Sequence, residues 1–196
     1  MSESFVDLLR HGDVQGGACF RGERDDPLSP LGLEQMRRVT TRVGATGWTR
    51  IIASPARRCA DFARELSGAC DRSLTLADAW RERAFGDWEG RPLDSIPNDE
   101  LQCFWDDPVG YTPPRAEPFA DFSARVLAAW HDLLDRREPH TLLITHGGVI
   151  RVLVAEVLCM SDAGLLLLEV PHACLTRLRI YPPPGRPSLI AHGSIE

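Results

Sequence analysis

The sequence predicts an α/β fold built on a mostly parallel central sheet with at least one antiparallel strand. Three observations predict it. Short apolar runs of strand length alternate with stretches of helical periodicity, two of those runs end in histidine followed by glycine, and the last three runs are joined by short connections. Residues 6–9 lead into Arg10-His11-Gly12, and residues 141–145 lead into His146-Gly147-Gly148. A buried strand ending in a titratable residue and glycine delivers that side chain to the carboxyl edge of an α/β sheet, where ligands bind. Two such deliveries point to one shared site.

Taken in order, residues 6–9 form the first strand, and the glycine-rich stretch to about residue 26 is a loop. Ser29-Pro30 is an N-cap with proline at the first helical position, opening a helix to about residue 43. Residues 51–53 are the next strand, and Ser54-Pro55 repeats the start signal for a helix to about residue 66. Residues 74–76 read as a strand, 81–91 as a polar segment with glycines and a tryptophan, and 92–105 as short helical pieces. Pro108, Pro113, Pro114 and Pro118 make 107–118 a loop with the character of a lid. Phe122, Val126, Leu127, Trp130, Leu133 and Leu134 recur at helical spacing within 119–136 and form a core-facing stripe. Beyond Thr145, residues 149–158 read as a helix, and 165–170, 174–181 and 188–191 as strands. Without an internal repeat or a linker, residues 1–196 are read as one domain.

Composition limits the function. A formal net charge of -6 gives no general attraction to nucleic acid or to an anionic membrane surface, so any phosphate chemistry rests on local arginines. Met1-Ser2-Glu3-Ser4 lacks the basic start and apolar region of a leader, and no apolar stretch approaches a membrane span. The cysteines, at positions 19, 59, 70, 103, 159 and 174, contain no Cys-x-x-Cys pair. They read as free thiols of a cytoplasmic protein rather than as a disulfide frame or zinc site.

The chemistry-bearing residues converge on phosphate. A neutral imidazole attacks phosphorus, and the adjacent Arg10 guanidinium suits phosphoryl oxygens. Glycines after His11 let backbone N–H groups approach an anion. A second arginine is expected because the transferring group spreads charge over several oxygens. Ser54-Pro55-Ala56-Arg57-Arg58 supplies it at a helix N-terminus. Neighbours on a helix point about 100° apart, so only one of Arg57 and Arg58 faces the site, and spacing alone leaves the choice open. The leaving group needs a proton, and Glu82, Asp87 and Glu89 are three candidate acids among which the residues themselves do not decide.

Arg10-His11-Gly12, Ser54-Pro55-Ala56-Arg57-Arg58, Arg81-Glu82-x-x-Phe85-Gly86-x-Trp88-Glu89-Gly90 and Thr145-His146-Gly147-Gly148-Val149-Ile150-Arg151 together resemble the histidine phosphatase superfamily, also called phosphoglycerate-mutase-like. The resemblance implies a three-layer α/β/α sandwich. It makes His11 the residue phosphorylated in the reaction, with Arg10, Arg58 and His146 completing the phosphate pocket and N–H groups near Gly147 assisting. The family's arginine lies four residues after the serine, which selects Arg58 over Arg57. Its acid precedes the Phe-Gly-x-Trp-Glu-Gly segment, which selects Glu82. The implied activity is two-step hydrolysis of a small-molecule phosphomonoester, without cofactor or metal. In the loop after His11, Val14 and Gly17 stand where many members have Thr and a phosphate-binding Asn. Gln15 and Arg21 are the candidates to substitute as substrate-binding residues.

Phe104-Trp105-x-Asp107-Pro108 and Pro113-Pro114-Arg115-Ala116-Glu117 further resemble α-ribazole-5′-phosphate phosphatases of cobalamin synthesis, although those enzymes usually carry Gly-Gly-Glu where this chain has Arg115-Ala116-Glu117. The alternatives are a phosphoglycerate mutase or phosphotransferase, whose chains are usually longer, and a non-catalytic phospholigand-binding protein, which would lack the nucleophile or acid. Glu117 reads as the cap of the helix starting near Phe119, Trp88 as packing for the site loop, and His172 as satisfying a turn. His131, His140 and His192 read as structural or exposed.

Overall fold

The computed structural model describes residues 3–44 and 47–193; Met1 and Ser2, part of the segment read for a leader, lie outside the described residues. Among the described residues six strands form one sheet: β1 (Ser4–Arg10), β2 (Arg50–Ala53), β3 (Ser73–Leu76), β4 (His140–Thr145), β5 (Leu175–Ile180) and β6 (Ser188–Gly193). Their spatial order is β3-β2-β4-β1-β5-β6. The first four are mutually parallel, while β5 runs antiparallel to both β1 and β6. Five α-helices accompany them: α1 (Pro30–Val43), α2 (Arg57–Cys70), α3 (Asn98–Asp106), α4 (Phe119–Asp135) and α5 (Gly147–Leu158).

The period of two along the strands divides the core into two layers. Val6 and Leu8 of β1, with Ile52 and Leu143, pack against Phe122, Val126 and Trp130 of α4 and Leu153 of α5. Leu9, Ile51, Leu142 and Ile144 face the other way, onto Met36 of α1 and Phe62 of α2. This is the α/β/α sandwich. Among the described residues no helix is long and apolar enough to cross a membrane.

Several local expectations need correction. Residues 165–170 are not a strand: Asp162–Leu167 is a 3₁₀ helix, and Leu165 is buried while Leu167 is 82% exposed. A short run of leucines carries no periodicity that separates strand from helix. Ser54 does not cap α2, which starts at Arg57 with Ala56 in the N-cap position, runs to Cys70 and has no side-chain cap. Its hydroxyl is taken up by His146 instead. Ser29 does cap α1, accepting from Gly32 N–H at 3.0 Å. Glu117 does not cap α4 either: its carboxylate accepts from Arg125 Nε and Nη2 at 2.7 and 2.9 Å.

One charge sits inside the sheet. Asp7 is fully buried on β1 and accepts from Arg177 Nε and Nη2, Trp48 Nε1 and His140 Nε2 at 2.7–3.0 Å. Burial by itself raises a carboxyl pKa, but the hydrogen bonds from Arg177, His140 and Trp48 outweigh it and hold Asp7 at about 2. The folded value lies below the unfolded one, so the ionised group contributes on the order of 2 kcal/mol at neutral pH, lost as pH falls from about 4 towards 2. Asp7→Asn is expected to lower stability by about 3 kcal/mol and to flatten that acid limb, as read by urea unfolding at a series of pH values.

Candidate active site

Strand register assembles the site. Arg10 lies opposite Thr145 in the parallel β1–β4 pair, so the residues that follow, His11 and His146, emerge side by side at the carboxyl edge. Their rings are 5.3 Å apart, edge to face. Ala53 of β2 lies opposite Ile144, which brings Ser54 to the same edge, and the first turn of α2 delivers Arg58.

His11 is held for one tautomer. Its Nδ1 lies 2.8 Å from Gly12 O, a carbonyl that can only accept, so Nδ1 carries the hydrogen and Nε2 carries the lone pair. Burial, followed by the nearby Arg10 and Arg58 guanidinium groups, pushes its pKa well below the usual imidazole range. His146 is lowered as well, by burial and then Arg58. Both rings are expected to stay neutral at pH 6.5, where a free imidazole is about half protonated, as an NMR titration of the resting protein checks. The unfolded chain takes up those protons, so the buried pair costs stability as pH falls below about 6.5.

Arg10 and Glu82 share the cavity wall with His11. Arg10 donates through Nη1 to Val170 O, whereas its buried Nε has no hydrogen-bond partner among the described residues. Glu82 accepts from Gly148 N–H at 2.9 Å and from Arg83 N–H at 3.0 Å. A Cβ at position 148 would lie 2.2 Å from Glu82 Oε1, so glycine is what admits the carboxylate here. Asp87 instead pairs with the exposed Arg115.

Arg58 and His146 lie beneath this wall, both fully buried. Arg58 Nε donates to His146 Nδ1 at 3.3 Å, and its terminal nitrogens donate to the carbonyls of Arg21, Gly22 and Arg24. His146 Nε2 lies 2.8 Å from Ser54 Oγ. With Nδ1 accepting from Arg58, Nε2 is the protonated nitrogen and Ser54 the acceptor. Arg57 is exposed, paired with Asp61, and donates its backbone N–H to Asp25. Arg21 reaches the cavity but is tied to Asp26 at 2.8 Å and to the carbonyls of Gln15 and Gly17. Gln15 is turned towards Leu28 O and is absent from the wall.

The parts played by three residues escaped sequence reasoning. His172 lines the cavity with its ring 5.8 Å from His11, brought there by the turn before β5, where Ala173 N–H donates to His11 O. Arg125, inside the apolar stripe of α4, donates to the carbonyls of Ala79, Arg81 and Glu82 and so carries the acidic loop. Glu89 accepts from the N–H groups of Gly22, Glu23, Arg24 and Phe85, which clamps the loop whose carbonyls hold Arg58. Glu89→Gln turns an acceptor-only group into one that also presents donors to donors. It is expected to lower kcat/KM about tenfold, weaken inhibition by inorganic phosphate and cost about 2 kcal/mol of stability. An unchanged phosphate inhibition constant would count against the clamp.

The arrangement defines a class of protein: an α/β/α sandwich presenting a neutral histidine, guanidinium groups and a carboxylate at one sheet edge, suited to phosphoryl transfer through histidine. The chain belongs to the histidine phosphatase superfamily (branch 1), which it matches over residues 6–191. It is 33% identical over 180 residues to the Enterobacter sp. (strain 638) protein named "Probable phosphoglycerate mutase GpmB", covering 88% of this chain and 83% of that one. Bacillus stearothermophilus YhfR superposes with a TM-score of 0.88 at 26% identity, covering 98% of each chain. The alpha-ribazole phosphatase from Shigella flexneri shares the fold at a TM-score of 0.84 and 22% identity, covering 97% of this chain and 96% of that one.

Proposed function

We propose that this protein hydrolyses small-molecule phosphomonoesters through a phosphohistidine at His11. The observation that carries the reading is the His11 tautomer: Nδ1 is spent on Gly12 O, and Nε2 keeps its lone pair in a cavity shared with Arg10 and Glu82. In the first step Nε2 attacks phosphorus, the ester P–O bond breaks, and Glu82 gives its proton to the departing alkoxide. In the second, Glu82 takes a proton from water as the water oxygen attacks phosphorus, the P–N bond breaks, and His11 is restored.

Arg10 Nε, unpartnered and beside Gly147, is the donor poised for a phosphoryl oxygen, with the N–H edge at Gly147 adjoining it. Arg58 contributes from below through its charge. His146 Nδ1 accepts from Arg58 Nε, so this ring holds the guanidinium in place beneath the phosphoryl group. Gln15 serves as a substrate contact only by leaving Leu28.

Of the finer assignments, α-ribazole 5′-phosphate in cobalamin synthesis is the substrate favoured by the segment around Phe104-Trp105, and the cytoplasm is the compartment its free thiols suit. The mutase-named relative supports a second reading, in which His11 returns the phosphoryl group to another hydroxyl of phosphoglycerate. Ranking α-ribazole 5′-phosphate, 3-phosphoglycerate, sugar phosphates and nucleotides by kcat/KM tests the substrate. Isomerised phosphoglycerate from a diphosphate-primed enzyme would favour the mutase; free phosphate favours the hydrolase.

A further inference from the structure

The cavity that exposes His11 has a volume of about 540 Å³, within the range of pockets that enclose a whole small molecule and far more than a phosphoryl group fills. Away from Arg10, His11 and Glu82, much of its wall is apolar, with Asp13, Arg21, Arg83 and Arg151 as its other charged members. Phe20, Phe85, Leu93, Phe104, Trp105 and Leu166 all line it. The rings form a packed set: Phe20 lies 4.8 Å from Phe85, 5.6 Å from Phe104 and 6.5 Å from Trp105. Trp105 and Leu93, 49% and 45% exposed, are large apolar residues of this wall left open to solvent.

The cations on the wall do not favour a second anion. Arg83 is spent on the carbonyls of Pro108, Tyr111 and Glu117, and Arg21 on Asp26 and two further carbonyls. Arg151 donates to Leu168 O and lies next to Arg10 across Gly147, at the phosphate end. A leaving group carrying a carboxylate, as in phosphoglycerate, therefore finds aromatic carbon and no unspent guanidinium on the distal wall.

We infer that this wall is the leaving-group subsite and that it selects phosphomonoesters of alcohols bearing a planar apolar group, an aromatic ring or a fused base. The inference rests on His11 as nucleophile and adds the substrate class. Stacking on Trp105 and contact with Leu93 bury surface that is exposed in the resting protein, which is the source of selectivity.

The test uses esters with alkoxide leaving groups of similar basicity, so that leaving-group chemistry does not set the order: 2-(1-naphthyl)ethyl phosphate, ethyl phosphate and 3-phosphoglycerate. The naphthyl ester is expected to exceed the other two by about 100-fold in kcat/KM, since contacts of this kind are each worth roughly 10- to 200-fold. Trp105→Ala, and separately Leu93→Asn, should narrow the naphthyl-to-ethyl ratio about tenfold; both residues are about half exposed, and a thermal melt of each variant checks the fold. Equal kcat/KM values, or a preference for 3-phosphoglycerate, with phosphohistidine still trapped on the wild-type enzyme, would overturn the subsite and leave the hydrolase reading standing. No phosphoenzyme from any ester would instead overturn the hydrolase reading, and the subsite with it.

Discussion

His11→Ala is expected to lower kcat for hydrolysis of any phosphomonoester by at least about 10³-fold, because it removes the atom to which phosphorus transfers. The loss should fall on kcat with a much smaller effect on inhibition by inorganic phosphate, since Arg10 and Arg58 remain. His11→Asn keeps a polar side chain near Gly12 O without a nucleophilic lone pair and should be equally inactive. Steady-state kinetics with a thermal melt of each variant separates chemistry from folding. More than a few per cent residual turnover would show that His11 is not the nucleophile.

Glu82→Gln is expected to lower kcat by roughly 10²- to 10⁴-fold on alkyl phosphates, the range for losing a positioned proton donor. The amide preserves an acceptor for Gly148 N–H, so the loop should stay in place. A nitrophenolate leaves without a proton, and the variant should therefore lose far less in forming phosphohistidine from 4-nitrophenyl phosphate than from an alkyl ester. That dependence on the leaving group is what a structural role for Glu82 would not produce. Gly148→Ala should mimic the loss, because its Cβ competes with the carboxylate for space.

Much of this architecture was legible in the sequence because strands and helices announce themselves by period. The β1 and β4 runs end in His-Gly, and parallel register then brings the two histidines together. The mostly parallel sheet with an antiparallel strand follows from the same alternation and from the short connections late in the chain. Where residues 165–170 misled, the cause was an apolar run without periodicity, whose Leu165 and Leu166 line the cavity from a 3₁₀ helix. Family resemblance selects Arg58 over Arg57; in the structure the Arg58 guanidinium is buried on loop carbonyls and Arg57 is exposed.

What the sequence hid are contacts between distant segments. Glu89 reads as a possible acid until four backbone N–H groups are seen to converge on it, and Arg125 carries no motif, its carbonyl partners lying in the distant segment 79–82. His172 reads as satisfying a turn; only the fold shows that the turn before β5 brings it beside His11. Glu117 lies one residue before the Pro118 that caps α4, and that position suggested a cap, yet Arg125 eight residues on claims the carboxylate.

The most direct measurement is a rapid-quench experiment with a ³²P-labelled alkyl phosphate, followed by digestion under alkaline conditions and mass-spectrometric mapping of the labelled peptide. A phosphoenzyme that is stable to base and lost in acid is expected, with the phosphoryl group on Nε2 of His11 and formation slowed in Glu82→Gln. Label on another side chain, or phosphate release at the full rate with no phosphoenzyme detected on wild-type protein or on a variant slowed in the second step, would contradict it.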